Sequence, residues 1–302
     1  MQNKFGVLLM AFGGPDKPEA IEPFVSSLLG GKKLPPAAME KIKERYRLIG
    51  GSSPLVKITK NQAQVLQKVL NIPVEVGLCY ARPDIKKGIS ALIDLGVEKI
   101  IAVSLSPHYS RVSTGAYRNE VQRVMEEMKP PAEVVFARGW YDHPEAIKAY
   151  YERIKQALLQ FPKKDRNDVE IIFSAHSLPT AYMAEGEPYV DELDATVRSL
   201  VQLLPGHQWH LAYQSKGGGK GDWLGPEVET VLDSLVQSGQ ANVLLVPLSF
   251  ASDHVETLYD IDIIIKNHAK ELGLNMQRSE ALNDEPQFIT ALADIVQDII
   301  QG

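Results

Sequence analysis

Apolar residues fall into short continuous runs, separated by longer segments where they recur every third and fourth position. The runs FGVLLMAF (5–12), VEVGLCY (74–80), KIIAVSLS (99–106) and EVVFARG (133–139) fill the first half. VEIIFSA (169–175), WHLAYQ (209–214), NVLLVPLSF (242–250) and LNMQRS (274–279) fill the second. Short, β-branched and bounded by turn residues, these eight read as buried strands. Between them, segments such as ITKNQAQVLQKVL (58–70) and PEVETVLDSLVQ (226–237) carry apolar residues at i, i+3 and i+4, which predicts helices with one buried stripe. Strands alternating with helices predict an α/β protein whose parallel sheets are covered on both faces.

The strands divide four and four around the polar stretch FPKKDRND (161–168), which predicts two doubly wound domains, 1–162 and 163–302. The last helix is free to pack back on the first domain. The halves share a rhythm. The first strand of each ends in a small-residue turn with proline, AFGGP or SAHSLP, and the third in a polar loop, SLSPHYS or PLSFASDH. Ligands of open α/β sheets bind beyond the carboxyl ends of the strands. These four loops are therefore expected to line one central cleft between the domains, with His176 at its floor.

A net charge of −6 with no basic run argues against a nucleic-acid partner, which calls for a basic face. The single cysteine, Cys79, excludes an intramolecular disulfide and any Cys-rich metal site. The opening MQNKFGVLLMAFGGP has a short apolar run, no A-x-A site and a Gly-Gly-Pro turn, so it reads as a strand rather than a signal peptide. No stretch reaches the ~18 apolar residues of a membrane span. A monomeric cytoplasmic protein, in peripheral contact with a membrane at most, is the expectation.

The segment SFASDHVETLYDID (249–262) runs from a strand end into a helix that Ser252 or Asp253 can cap. In an α-helix Asp253, Glu256 and Asp260 share one face, and their mutual repulsion is expected to hold a proton on at least one of them. His254 is expected to point elsewhere. A solvated helix face accounts for the same stripe, just as a hydrogen-bonded structural role accounts for a histidine at a strand tip. If both loops meet in the cleft, however, one imidazole faces one or two carboxylates. That is too few ligands for a closed structural zinc site, and it suits a metal that arrives, is transferred and leaves. RYRLIGGSSPL (45–55) offers Arg45 and the free amides of a helix start, which can hold a carboxylate or simply connect two helices. The glycine-rich YQSKGGGKGDWLGPEVE (213–229) lacks the order of a phosphate loop and reads as a flexible loop over the cleft, anchored by Trp223 and Leu224. Tyr109, Ser110, Ser113 and Tyr117 read as rims and stacking surfaces.

Taken together, FSAHSLP, YRLIGGSSPL, WLGPEVE and SFASDHVETLYDID, in this order and spacing, resemble the ferrochelatases, which insert ferrous iron into a porphyrin in haem synthesis. The resemblance runs from about residue 5 to 299. It implies two Rossmann-like domains around a porphyrin cleft. It also implies His176 and Glu256 at the iron, Asp260 as the next acid, and Phe12, Arg45, Tyr46, Ser53 and Tyr117 around the porphyrin and its propionates. The implied partners are a porphyrin and Fe2+ as substrates, with no permanently bound cofactor. Phe12 stands where some bacterial relatives carry tyrosine, Ile264 where many carry a further acid, and Leu28 and Leu29 near an arginine of coproporphyrin-using relatives. The leucines favour protoporphyrin IX over coproporphyrin III. No cysteine-bearing extension is present, so no iron–sulfur cluster is expected. Two rival readings stay open at this point: a non-catalytic tetrapyrrole carrier, and a chelatase acting on sirohydrochlorin with cobalt.

Overall fold

The structure, a computed structural model, describes residues 4–219 and 221–302. All eight expected strands form, no end displaced by more than three residues: β1 (Phe5–Ala11), β2 (Val74–Leu78), β3 (Lys99–Ser104), β4 (Glu133–Phe136), β5 (Glu170–His176), β6 (Trp209–Gln214), β7 (Asn242–Pro247) and β8 (Asn275–Arg278). They make two all-parallel sheets of matching order, β2-β1-β3-β4 and β6-β5-β7-β8. The first strand of each half is thus an inner strand. Val7–Met10 and Ile171–Ala175 are essentially without solvent exposure, which is why these runs show no polar alternation.

The first unit carries α1 (Ile21–Leu28), α2 (Pro36–Leu48), α3 (Leu55–Leu70), α4 (Ile85–Asp94) and α5 (Thr114–Met128). Its core joins Leu8 and Met10 of β1 to Ile85, Ile89 and Leu92 of α4 and to Tyr117, Val121 and Val124 of α5. Each fully buried aliphatic side chain of this kind contributes about 1.5–3 kcal/mol. The second unit carries α6 (Pro144–Leu158), α7 (Thr180–Ala184), α8 (Tyr189–Gln202), α9 (Val228–Gln237), a π-helical stretch (Glu256–Ile265) and α10 (Lys266–Glu271), which continues it. Its core packs Val228, Val231, Leu232 and Leu235 of α9 with Ile261 and Ile265 of the π-helical stretch over β5 and β7.

The final helix, α11 (Pro286–Gln301), belongs to the first unit, which comprises Met1–Trp140 and Asn283–Gly302; the second is Tyr141–Leu282. Trp140 stacks on Phe288 of α11 at 4.7 Å between ring centres, and Gln62 of α3 donates to the Asn283 carbonyl at 2.6 Å. The boundary expected at 162/163 therefore falls earlier, at 140/141. The reason is α6, which packs on α8 and β7 and whose Tyr150 hydroxyl donates to the Leu248 carbonyl at 2.9 Å. The polar stretch 161–168 is simply the turn from α6 into β5.

Candidate functional site

In a sheet of order β6-β5-β7-β8 the connections leave in opposite directions from β5 and β7, and beyond the carboxyl ends of such strands is where open α/β sheets generally bind ligands. The second unit places its titratable residues there. His176 is the last residue of β5, paired in register with Gln214 of β6. Its backbone is fixed on both sides: its N–H donates to Ser249 Oγ at 2.8 Å, and its carbonyl accepts from the Tyr189 hydroxyl at 2.9 Å. Glu256 opens the π-helical stretch after β7 and sets its Oε2 3.0 Å from His176 Nδ1. The two side chains are 30% and 29% exposed, so the pair is screened from water yet open to a ligand.

Burial works to lower the His176 pKa, but the charge and hydrogen bond of Glu256, with help from Asp260, outweigh it and raise it above the ordinary imidazole value. Burial likewise works to raise the Glu256 carboxyl. His176 and then His254 outweigh that and hold it well below the ordinary carboxylate range. In Glu256→Gln the lowering influence of burial on His176 loses its main opponent. The His176 titration, followed by NMR, is therefore expected to move to lower pH; an unmoved titration would show that the contact is electrostatically idle.

Two expectations about this segment are corrected. Asp253, Glu256 and Asp260 do not form one acidic stripe. Asp253 precedes the helical part, and its carboxylate meets Arg278 Nη1 at 3.0 Å; Glu256 meets His176; Asp260 accepts from Ser215 Oγ at 2.5 Å. Glu256 itself is kept ionised. His254, expected to point away, lies with Nε2 3.7 Å from Glu256 Oε2. It sits just before the helix, where the 100° step per residue does not apply. There Thr257 Oγ1 accepts from the His254 N–H and donates to its carbonyl, both at 3.0 Å, closing the helix start. The Phe250 ring packs against both imidazoles, with centroids 6.2 Å from His176 and 4.4 Å from His254. Among the described residues no group of three or more His, Cys, Asp or Glu side chains is gathered as a metal-holding cluster.

The glycine-rich segment is stitched to the strand tip. Leu224 N–H donates to Leu178 O at 2.9 Å, Ser177 Oγ donates to Leu224 O at 2.8 Å, and the Trp223 ring lies over Gly217. Lys220 of this loop lies outside the described residues.

The first unit gathers its candidates at the carboxyl ends of β1 and β2. Gly13, at φ +94°, has no room for a Cβ beside Ala81, and at Gly14 a Cβ would lie 3.0 Å from the Ser53 side chain. This close approach lets Ser53 N–H donate to the Pro15 carbonyl at 2.8 Å, so the turns 12–15 and 50–54 sit side by side. Ser53 Oγ accepts from Leu55 N–H at 3.3 Å at the start of α3. Phe12 is 36% exposed, with its ring packed on Tyr80 at 4.7 Å and on Phe24 at 6.4 Å. Arg45 is an exposed residue in the last turn of α2, next to Tyr46. Tyr46 and Tyr117 are both buried, and Tyr117 pairs its hydroxyl with Ser106 Oγ at 3.2 Å.

Both units are doubly wound, with their candidate loops beyond the carboxyl edges of the sheets, and the second holds an imidazole–carboxylate pair. Solved structures agree on the fold: SirB from Bacillus subtilis with Fe3+ matches 98% of this chain and 95% of its own at TM-score 0.63 and 16% identity. The sirohydrochlorin chelatase SirB from B. subtilis subspecies spizizenii in complex with cobalt matches 99% and 96% at TM-score 0.62 and 13% identity. The ferrochelatase family profile matches residues 4–299. The ferrochelatase of Citrifermentans bemidjiense is 40% identical over 98% of this chain and 99% of its own, and that of Geotalea uraniireducens 39% identical over the whole of both. The chain belongs to the ferrochelatase family.

Proposed function

We propose that iron enters the porphyrin at His176 and Glu256, and that the favoured porphyrin is protoporphyrin IX. As a ferrochelatase the protein is an enzyme of haem biosynthesis, inserting iron into a porphyrin with release of two protons. The observation that carries the site assignment is the 3.0 Å contact of His176 Nδ1 with an ionised Glu256. An ionised carboxylate accepts, so the Nδ1 proton stays on the ring and Nε2 carries the lone pair of the neutral imidazole. Nε2 can then take a pyrrole proton, and Glu256 stabilises the imidazolium so formed. Asp260, on the same helical stretch, and His254, beside Glu256, can guide the hydrated cation in or protons out.

For the porphyrin, the exposed Phe12 ring offers a face, and Arg45 with the Ser53 turn offers partners for a propionate. The buried Tyr46 and Tyr117 support those elements from beneath. Leu28 and Leu29, 38% and 39% exposed, suit vinyl and methyl edges better than extra propionates. The second reading is coproporphyrin III. Lys32, Lys33 and Lys43 line a cleft of about 760 Å³ between α1 and α2, but Glu19, Glu22 and Glu40 line it too, so its charges balance rather than favour four propionates. Purified protein given ferrous iron with each porphyrin is expected to metallate protoporphyrin IX faster; the reverse order would assign coproporphyrin. Among the described residues no helix is long and apolar enough to cross a membrane. The exposed leucines of α1 support peripheral contact from the cytoplasmic side, which co-sedimentation with liposomes checks.

A further inference from the structure

Among the described residues four non-glycines have positive φ: Asn71, Lys129, Ser215 and Asn283. Asn71 and Lys129 terminate α3 and α5, where a left-handed residue is routine. Ser215 ends no helix. It follows β6 with φ +57°, a conformation costly for serine, which side chains with a Cβ rarely adopt and glycine adopts freely. Strain of this kind persists only where the surroundings impose it, and it concentrates at functional positions.

What the conformation achieves is visible in the contacts. It turns Ser215 Oγ onto the Asp260 carboxylate, donating at 2.5 Å. The preceding residue, Gln214, extends Nε2 to within 3.4 Å of the Glu256 carbonyl and 3.5 Å of Ser215 Oγ. Gln214 is also the register partner of His176, and its carbonyl accepts from Ser177 N–H at 2.8 Å. The two residues at the tip of β6 therefore touch the strand that carries His176 and the helical stretch that carries Glu256 and Asp260. We infer that Ser215 is a positioning residue for iron insertion: its hydroxyl fixes the Asp260 carboxylate relative to the His176–Glu256 pair, and the left-handed backbone is the cost of aiming it there. This rests on the reading of Asp260 as part of the insertion site.

Two substitutions separate the hydroxyl from the strain. Ser215→Gly removes both; Ser215→Ala removes the hydroxyl and keeps the strain. The expected result is that both lower kcat for iron insertion about 10-fold and raise the apparent KM for Fe2+, with the KM for porphyrin unchanged. Ser215→Gly is expected to melt at or above the wild-type temperature and Ser215→Ala at or below it. Activity would then follow the hydroxyl while stability follows the backbone, a split that a purely structural role does not produce. In the Asp260→Asn background, Ser215→Gly is expected to cost nothing further, because both act through one contact. Wild-type turnover in Ser215→Gly with a slow Asp260→Asn would overturn the inference alone, as would losses that multiply in the double variant. Wild-type turnover in Asp260→Asn would overturn the reading of Asp260 and the inference with it.

Discussion

His176→Ala is expected to reduce iron insertion by a factor of ~10²–10⁴, the range a positioned general base contributes, while porphyrin affinity stays close to wild type. The expectation follows from where His176 sits. Its ring caps an inner strand and pairs with an ionised carboxylate, whereas the groups proposed to hold the porphyrin belong to other loops. The variant leaves β5 intact, since the anchoring bonds of residue 176 to Ser249 and Tyr189 use its backbone. It also leaves Glu256 beside His254 alone, so the carboxyl loses the larger of the two influences that keep it ionised. Metallation can be followed by the absorbance of the product and porphyrin affinity by fluorescence quenching. Turnover retained in the variant would remove the mechanism proposed here, and a parallel loss of porphyrin binding would show that His176 serves the macrocycle rather than the metal.

The second large effect lies in a residue that touches neither. Arg278, the last residue of β8, donates from Nε and Nη2 to the two oxygens of Asp262 at 2.8 Å each, and from Nη1 to Asp253 at 3.0 Å. Its side chain is only 12% exposed, and burial, which works to lower its pKa, is overcome by the two carboxylates. One guanidinium thus ties together chain on either side of Glu256 and Asp260. Arg278→Met leaves two part-buried carboxylates without their cation, which costs about 3–5 kcal/mol, more than the pair itself is worth against an apolar replacement. For a unit of this size the fall in melting temperature is on the order of 10 °C. Asp253→Asn with Asp262→Asn in the methionine background is expected to recover part of it by removing the stranded charges. Calorimetry decides: a transition within a degree of wild type would show that the ion triad contributes nothing net.

The strands were legible because parallel strands buried on both faces, such as Leu8–Met10 and Ile171–Phe173, have no polar face to interrupt the apolar run. The pairing of His176 with Glu256 was legible too, because both fall at strand ends that doubly wound topology brings to one edge. The domain boundary was not. The amphipathic pattern of α6 says that it packs on something, but not on which sheet. The acidic stripe failed for a geometric reason: it assumed 3.6 residues per turn across 253–260, whereas the chain is not helical at Asp253 and His254 and is π-helical from Glu256. Arg278 carried no local signal, since its partners lie 16 and 25 residues away on another element. Ser215 looked like one more small residue in a glycine-rich loop. Nothing in composition marks which member of such a loop is held left-handed.

The second unit interrupts the first, which is left at Trp140 and rejoined at Asn283. During synthesis on the ribosome the segment 141–282 emerges with all its strands and helices in hand, while the earlier-made sheet still waits for α11 to cover α3 and β3. The half translated first is thus the half finished last, and a nascent chain halted before residue 286 would expose the apolar surfaces that Phe288, Leu292 and Ile295 occupy in the completed protein.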